Sequence, residues 1–162
     1  MSDFKIRPAL VVPLALVLLL AWRLWQVAHN GAGLHVDEAQ YWYWSQALEW
    51  GYFSKPPLLV GLIRLSTTLF GDGLLGVKAL AMVAWLLTSA VLWRLGAAMG
   101  NERAGVAAAA LLAASTASGL LGLSVTTDSV LMLFWSLVML GAWRAVCVRR
   151  EPPKVCGRSH RL

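Results

Sequence analysis

The chain alternates between long apolar runs and short polar breaks. The first run covers residues 8–28 and carries no charge between Ala9 and Trp22. At about 1.5 Å per residue it spans roughly 31 Å as a helix, the thickness of a bilayer's hydrocarbon core. Lys5 and Arg7 give it the basic start of a signal peptide. No small-x-small cleavage site follows, however, and Arg23 beside two tryptophans reads as an interface anchor, so an uncleaved helix is expected. Three further runs cover residues 74–99, 104–123 and 128–148. Lys78 and Arg94 lie near the ends of the second, where long cationic side chains can snorkel. The third is rich in Ala, Gly, Ser and Thr, residues that let helices pack closely, and is expected to be surrounded by protein rather than lipid. The short polar break Gly100-Asn101-Glu102-Arg103 makes the second and third runs antiparallel neighbours. The pattern predicts an all-α integral membrane protein with four transmembrane helices.

Between the first and second runs lies the one substantial polar segment, residues 29–73. Asn30-Gly31-Ala32-Gly33 reads as a flexible exit. From residue 36 to 50 the pattern suits an amphipathic helix with Asp37, Tyr41, Trp44 and Leu48 on one face. Its aromatic run, Tyr41-Trp42-Tyr43-Trp44, predicts a helix lying flat among lipid headgroups. A second short helix is expected over residues 58–70.

Composition supports a membrane class. The chain is 59% hydrophobic and 14% charged, where a soluble domain carries about a quarter charged residues. The net charge of +6 does not imply nucleic acid, because no basic stripe is interleaved with aromatics. Charge distribution instead sets the orientation. With the N-terminus cytoplasmic, ten of the 14 Lys and Arg residues fall inside, and only Arg23, Lys55, Arg64 and Lys78 fall outside. The loop bearing Asp37 and the start of the fourth run at Asp128 then share the outer face. Cys147 and Cys156 fall inside, match no metal-ligand spacing and read as reduced thiols.

The outer segment also carries the candidate chemistry. Asp37 and Glu38 are adjacent carboxylates beside a bilayer, where charge is costly and usually kept for a task. Both also open a predicted helix, whose dipole favours negative charge, so capping is the plainer explanation for either one. Lys55 precedes Pro56-Pro57, whose fixed φ angles make a stiff strut. A fixed ammonium suits a phosphate, although a lysine at this depth can simply meet lipid headgroups. Asp128 follows Thr126-Thr127, an N-cap signature, so it too is either a cap or an acid facing a polar cavity.

Taken together, these motifs resemble the N-terminal part of the GT-C type glycosyltransferases that use lipid-linked sugars. The resemblance rests on Asp37-Glu38-Ala39-Gln40-Tyr41-Trp42, on Tyr52-Phe53-Ser54-Lys55-Pro56-Pro57-Leu58, and on Thr126-Thr127-Asp128 with Phe134-Trp135 following. It covers about residues 8–145, and the chain looks most similar to bacterial relatives of the protein O-mannosyltransferases and of the lipid A aminoarabinose transferase. The resemblance implies that Asp37 is the base that activates the acceptor, with Glu38 and Asp128 as further acids of the catalytic cavity. It implies that Lys55 binds the phosphate of a polyprenyl-phosphate sugar, and that Tyr41, Trp44 and Tyr52 line the interfacial substrate region. The aminoarabinose transferases carry a metal-binding acid just before the lysine, whereas this chain has Ser54, so the metal question stays open. The implied location is a bacterial inner membrane with the active face periplasmic, and the acceptor a lipid, a glycan or a protein. Residues 149–162 are basic and poorly patterned, which leads to the expectation of a truncated or frame-shifted end. The competing reading is a non-catalytic membrane module, a transporter subunit or scaffold. A transporter is expected to place polar groups at mid-bilayer, and these runs have almost none there.

Overall fold

The computed structural model describes residues 8–29, 33–53, 55–116, 119 and 122–150. Among these are six helices and no strand: α1 Pro8–His29, α2 Val36–Ser45, α3 Pro57–Phe70, α4 Leu74–Met99, α5 Glu102–Ala114 and α6 Thr127–Arg150. Three windows, Val11–His29, Leu74–Met99 and Thr127–Cys147, are long and apolar enough to cross a membrane. α5, with 13 residues, is about 20 Å long and too short to cross alone. It stops at Ser115, where ψ turns to 124°; within the rest of the expected run to residue 123, residues 117, 118, 120 and 121 lie outside the described residues.

α4 is the central element and packs against α1, α3, α5 and α6. Its contact with α5 is close because the facing positions lack side chains. A Cβ on Gly105 would lie 2.5 Å from the Trp93 carbonyl oxygen, and one on Gly96 would lie 2.9 Å from that of Ala104. The small-residue run therefore does allow tight packing, but on one face only. Gly105, Ala109 and Leu112 are buried while Leu111 is 72% exposed, so α5 is not enclosed by protein on all sides. α3 turns into α4 through Gly71, whose φ of 93° is a conformation that side chains with a Cβ resist. The turn is also held by the Ser66 hydroxyl, which donates to the Gly76 carbonyl at 2.6 Å.

Two apolar clusters lie along the bundle. Val12, Leu16, Trp85 and Ala109 join α1, α4 and α5. Tyr41, Leu59, Ile63, Val77, Ala81, Val125 and Val130 join α2, α3, α4 and the start of α6. Leu14, Val17 and Leu18 on α1, and Leu137, Val138 and Met139 on α6, are left uncovered, as suits helices solvated by lipid.

Three expectations are corrected here. Helix α2 ends at Ser45 rather than reaching Trp50, and it does not present its whole aromatic run to lipid. Tyr41 is buried in the second cluster, Trp42 and Trp44 pack against it, and only Tyr43 is strongly exposed. Arg23 is no interface anchor. It is 8% exposed, with its guanidinium 4.0 Å above the Trp85 ring and Nη1 donating to the Gly119 carbonyl at 3.2 Å. Lys78 does not snorkel. It is 7% exposed and turned inward to a carboxylate.

Candidate functional site

The site is assembled around Glu38, the third residue of α2. Its Oε2 reaches back to accept the His35 N–H at 2.8 Å, which satisfies one of the helix's open amides. Lys78 Nζ, from the second turn of α4, donates to Oε2 at 2.8 Å and to Oε1 at 3.1 Å. The Val125 N–H donates to Oε1 at 2.7 Å. Lys78 also donates to the Leu123 carbonyl at 3.2 Å, so one ammonium grips the helix start and the segment leading into α6. Glu38 is 1% exposed, and its oxygens are fully occupied by donors from three parts of the chain.

Capping of α2 thus falls to Glu38 and leaves Asp37 over. Asp37 is exposed and has no hydrogen bond or ion pair among the described residues. The start of α6 repeats the arrangement. Thr126 and Ser129 cap it reciprocally: the Ser129 N–H donates to Thr126 Oγ1 at 3.3 Å, and the Thr126 N–H donates to Ser129 Oγ at 3.1 Å. Asp128 is exposed and likewise has no hydrogen bond or ion pair among the described residues. Both acids therefore occupy the second position of a helix whose cap is made by other residues. The Glu38–Val125 hydrogen bond brings these two helix starts together across 87 residues of sequence.

Lys55 stands over the same face of α2. Its ammonium lies 5.7 Å from the centroid of the Tyr41 ring, one helical turn beyond Asp37. Lys55 is half-buried and pairs with no carboxylate among the described residues. Pro56 and Pro57 hold it against the start of α3, which has no side-chain cap. The loop leading to it is closed by Tyr52, whose ring stacks on Trp44 with centroids 5.2 Å apart. The Tyr52 hydroxyl accepts the Glu49 N–H at 2.9 Å and donates to the Ala47 carbonyl at 3.0 Å. Trp44 in turn lies 6.0 Å from Tyr41. Tyr41, Trp44 and Tyr52 form one continuous run of ring contacts, tilted between Tyr41 and Trp44 and stacked between Trp44 and Tyr52, with Tyr41 its buried end. Trp42 ties α2 to the α3–α4 turn, its indole N–H donating to Asp72 Oδ1 at 2.7 Å.

Among the described residues this arrangement offers two unpartnered carboxylates and one cation without a counter-charge around linked helix starts of a membrane helix bundle. That is a set able to accept a proton and to bind an anion. Residues 54–153 match the family model described as dolichyl-phosphate-mannose-protein mannosyltransferase. The chain belongs to that family. The matched region contains Lys55, Lys78 and Asp128, while Asp37 and Glu38 precede it. The chain is also 33% identical over 132 residues to a lipid A galacturonosyltransferase of Rhizobium johnstonii, an alignment covering 77% of this chain. It spans 27% of the length of that relative. No solved structure matches the chain.

Within this member of the mannosyltransferase family, the two residues that reading the sequence missed are Lys78 and Val125. Lys78 did leave a signal, since it sits inside a long apolar helix where a charge requires a partner. Val125 left none, because it contributes only its backbone amide. Ser54, on which the expectation about a metal turned, lies outside the described residues, as do residues 1–7, 30–32, 117, 118, 120, 121 and 151–162.

Proposed function

We propose that the chain carries the catalytic face of a membrane glycosyltransferase that moves a sugar from a polyprenyl phosphate to an acceptor hydroxyl. What supports this reading is the placement of Asp37 and Asp128 on two helix starts joined by the Glu38–Val125 hydrogen bond, with Lys55 over Tyr41 one turn on from Asp37, and none of the three with a counter-charge among the described residues. Asp37 takes the proton from the acceptor hydroxyl. The freed oxygen attacks the anomeric carbon, and the bond from that carbon to the phosphate oxygen breaks. The phosphate leaves with the electron pair on its prenyl carrier, and Lys55 stabilises its charge. The uncapped amides at the start of α3 add to the positive field beside Lys55. Asp128 serves as the second acid, orienting the acceptor. The aromatic stack of Trp44 and Tyr52 lines the approach at the membrane surface.

In this reading the N-terminus is cytoplasmic, the site faces the periplasm, and the protein resides in a bacterial inner membrane. The chain crosses four times, with α5 and the segment up to Leu123 forming the third crossing. Leu123 beside Lys78 supports this, because α5 begins at the opposite end of α4. The acceptor is lipid A, another glycan or a protein, and the named activity of the Rhizobium relative favours lipid A.

The test uses membranes containing the chain and a benzophenone-bearing polyprenyl phosphate. Light-induced labelling is expected to be competed by unlabelled polyprenyl-phosphate sugar and lost in Lys55→Met. Labelling that ignores the competitor and survives Lys55→Met overturns the assignment.

A further inference from the structure

We propose that Glu38 and Lys78 are positioning residues, a buried clamp that sets the placement of Asp37 relative to Asp128. The link between the starts of α2 and α6 runs through Glu38 Oε1 and the Val125 N–H, at 2.7 Å. Asp37 adjoins the first partner and Asp128 lies three residues past the second. Lys78 holds both sides of this link, donating to Glu38 and to the Leu123 carbonyl, so helix start and incoming segment are referenced to the central helix α4. A buried ion pair is a poor source of stability, because apolar residues of similar volume often serve as well. What an apolar pair lacks is direction. The Glu38 carboxylate accepts from two backbone amides and an ammonium at once, which fixes the rotation and height of the first turn of α2. Asp37 is carried on that turn and has no hydrogen bond or ion pair of its own among the described residues to orient it.

This inference rests on the proposed function only in treating Asp37 and Asp128 as one site, and its test separates the two. Spin labels are placed at the exposed positions Val36 and Leu131 in the whole chain, in nanodiscs, with Cys147 and Cys156 replaced by serine. A control pair is placed at Leu18 and Leu111, also exposed and away from the clamp. The decisive variant is Glu38→Leu with Lys78→Met, which leaves no unpaired buried charge and so avoids simple unfolding. The wild type and the conservative Lys78→Arg are expected to give one narrow Val36–Leu131 distance. The double variant is expected to lose that single peak while the Leu18–Leu111 distance is unchanged. In sugar transfer the same variant should lower kcat by about a hundredfold, the effect of a misplacement near 1 Å, with the KM for donor unchanged. A double variant that keeps the narrow distance overturns the proposal, as does one that broadens both pairs, which marks a global structural role. Wild type whose labelling by the polyprenyl-phosphate probe ignores the competitor, while the distances behave as described, refutes the proposed function and leaves the clamp standing.

Discussion

Replacing Lys78 with methionine should be among the most damaging single changes in the described part of the chain. The side chains of Lys78 and Glu38 are only 9% and 1% exposed, so solvent cannot take over the lost interaction. Methionine fills a volume close to that of the lysine stem but removes two charge-assisted hydrogen bonds to the carboxylate. Glu38 is left as a buried anion facing the His35 and Val125 amides alone. Breaking one side of such a pair costs about 3–5 kcal/mol. A second substitution, Glu38→Gln, should then recover part of the loss, because the stranded charge is gone and the amide oxygen can still accept one N–H. The double variant should sit about 1–2 kcal/mol below wild type, the cost of the hydrogen bonds that are not remade. The two substitutions are therefore strongly non-additive, as residues in one network usually are. The measurement is reversible unfolding by dodecyl sulfate in mixed micelles, followed by circular dichroism. A Lys78→Met protein within about 1 kcal/mol of wild type would refute the reasoning, since an exposed lysine behaves that way. A double variant less stable than Lys78→Met would refute it as well.

Further outcomes follow from the same geometry. Asp37→Asn and Asp128→Asn should each lower transfer of labelled sugar by about 10²–10⁴-fold, the usual worth of a positioned acid or base. Both should leave unfolding within about 1 kcal/mol of wild type, because neither carboxylate has a hydrogen-bond or ionic partner among the described residues and only the helix-dipole interaction is lost. Gly105→Ala places a Cβ 2.5 Å from the Trp93 carbonyl and should destabilise by about 1–3 kcal/mol in a thermal scan. Gly61→Ala, inside α3 with nothing within 4 Å of the added carbon, should instead stabilise by about 0.5–1 kcal/mol.

The long elements were legible because their signals are local. Residues 74–99 are apolar between a glycine and a glycine–asparagine break, and α4 has those bounds. The diproline at Pro56-Pro57 fixes the start of α3 within one residue of the expectation. Elements whose ends depend on distant or side-chain contacts were not legible. α2 stops where the Ser45 hydroxyl donates to the Trp42 carbonyl at 2.6 Å and the Tyr52-closed loop takes over. Periodicity places Tyr41, Trp42 and Trp44 on a helix, but it does not say that α3 and α4 arrive to cover them. The charges show the same limit. Arg23 and Lys78 look like membrane-surface residues because their partners lie 96 and 40 positions away. The candidate acids themselves were visible at once. Which of them are unoccupied became visible only when Glu38, Thr126 and Ser129 were seen to perform the capping.

The Glu38 contacts also impose an order of assembly. As the chain is made, the carboxylate emerges with only the His35 amide to bind. Lys78 follows 40 residues later and Val125 only after 87. Closing the longer loop adds little free energy, since loop entropy grows slowly with length. Its cost is in timing. Until the start of α6 leaves the ribosome, the segment bearing Asp128 cannot be joined to the start of α2. The carboxylate that finally joins the two helix starts therefore lacks one of its three partners until the last of the described helices is made.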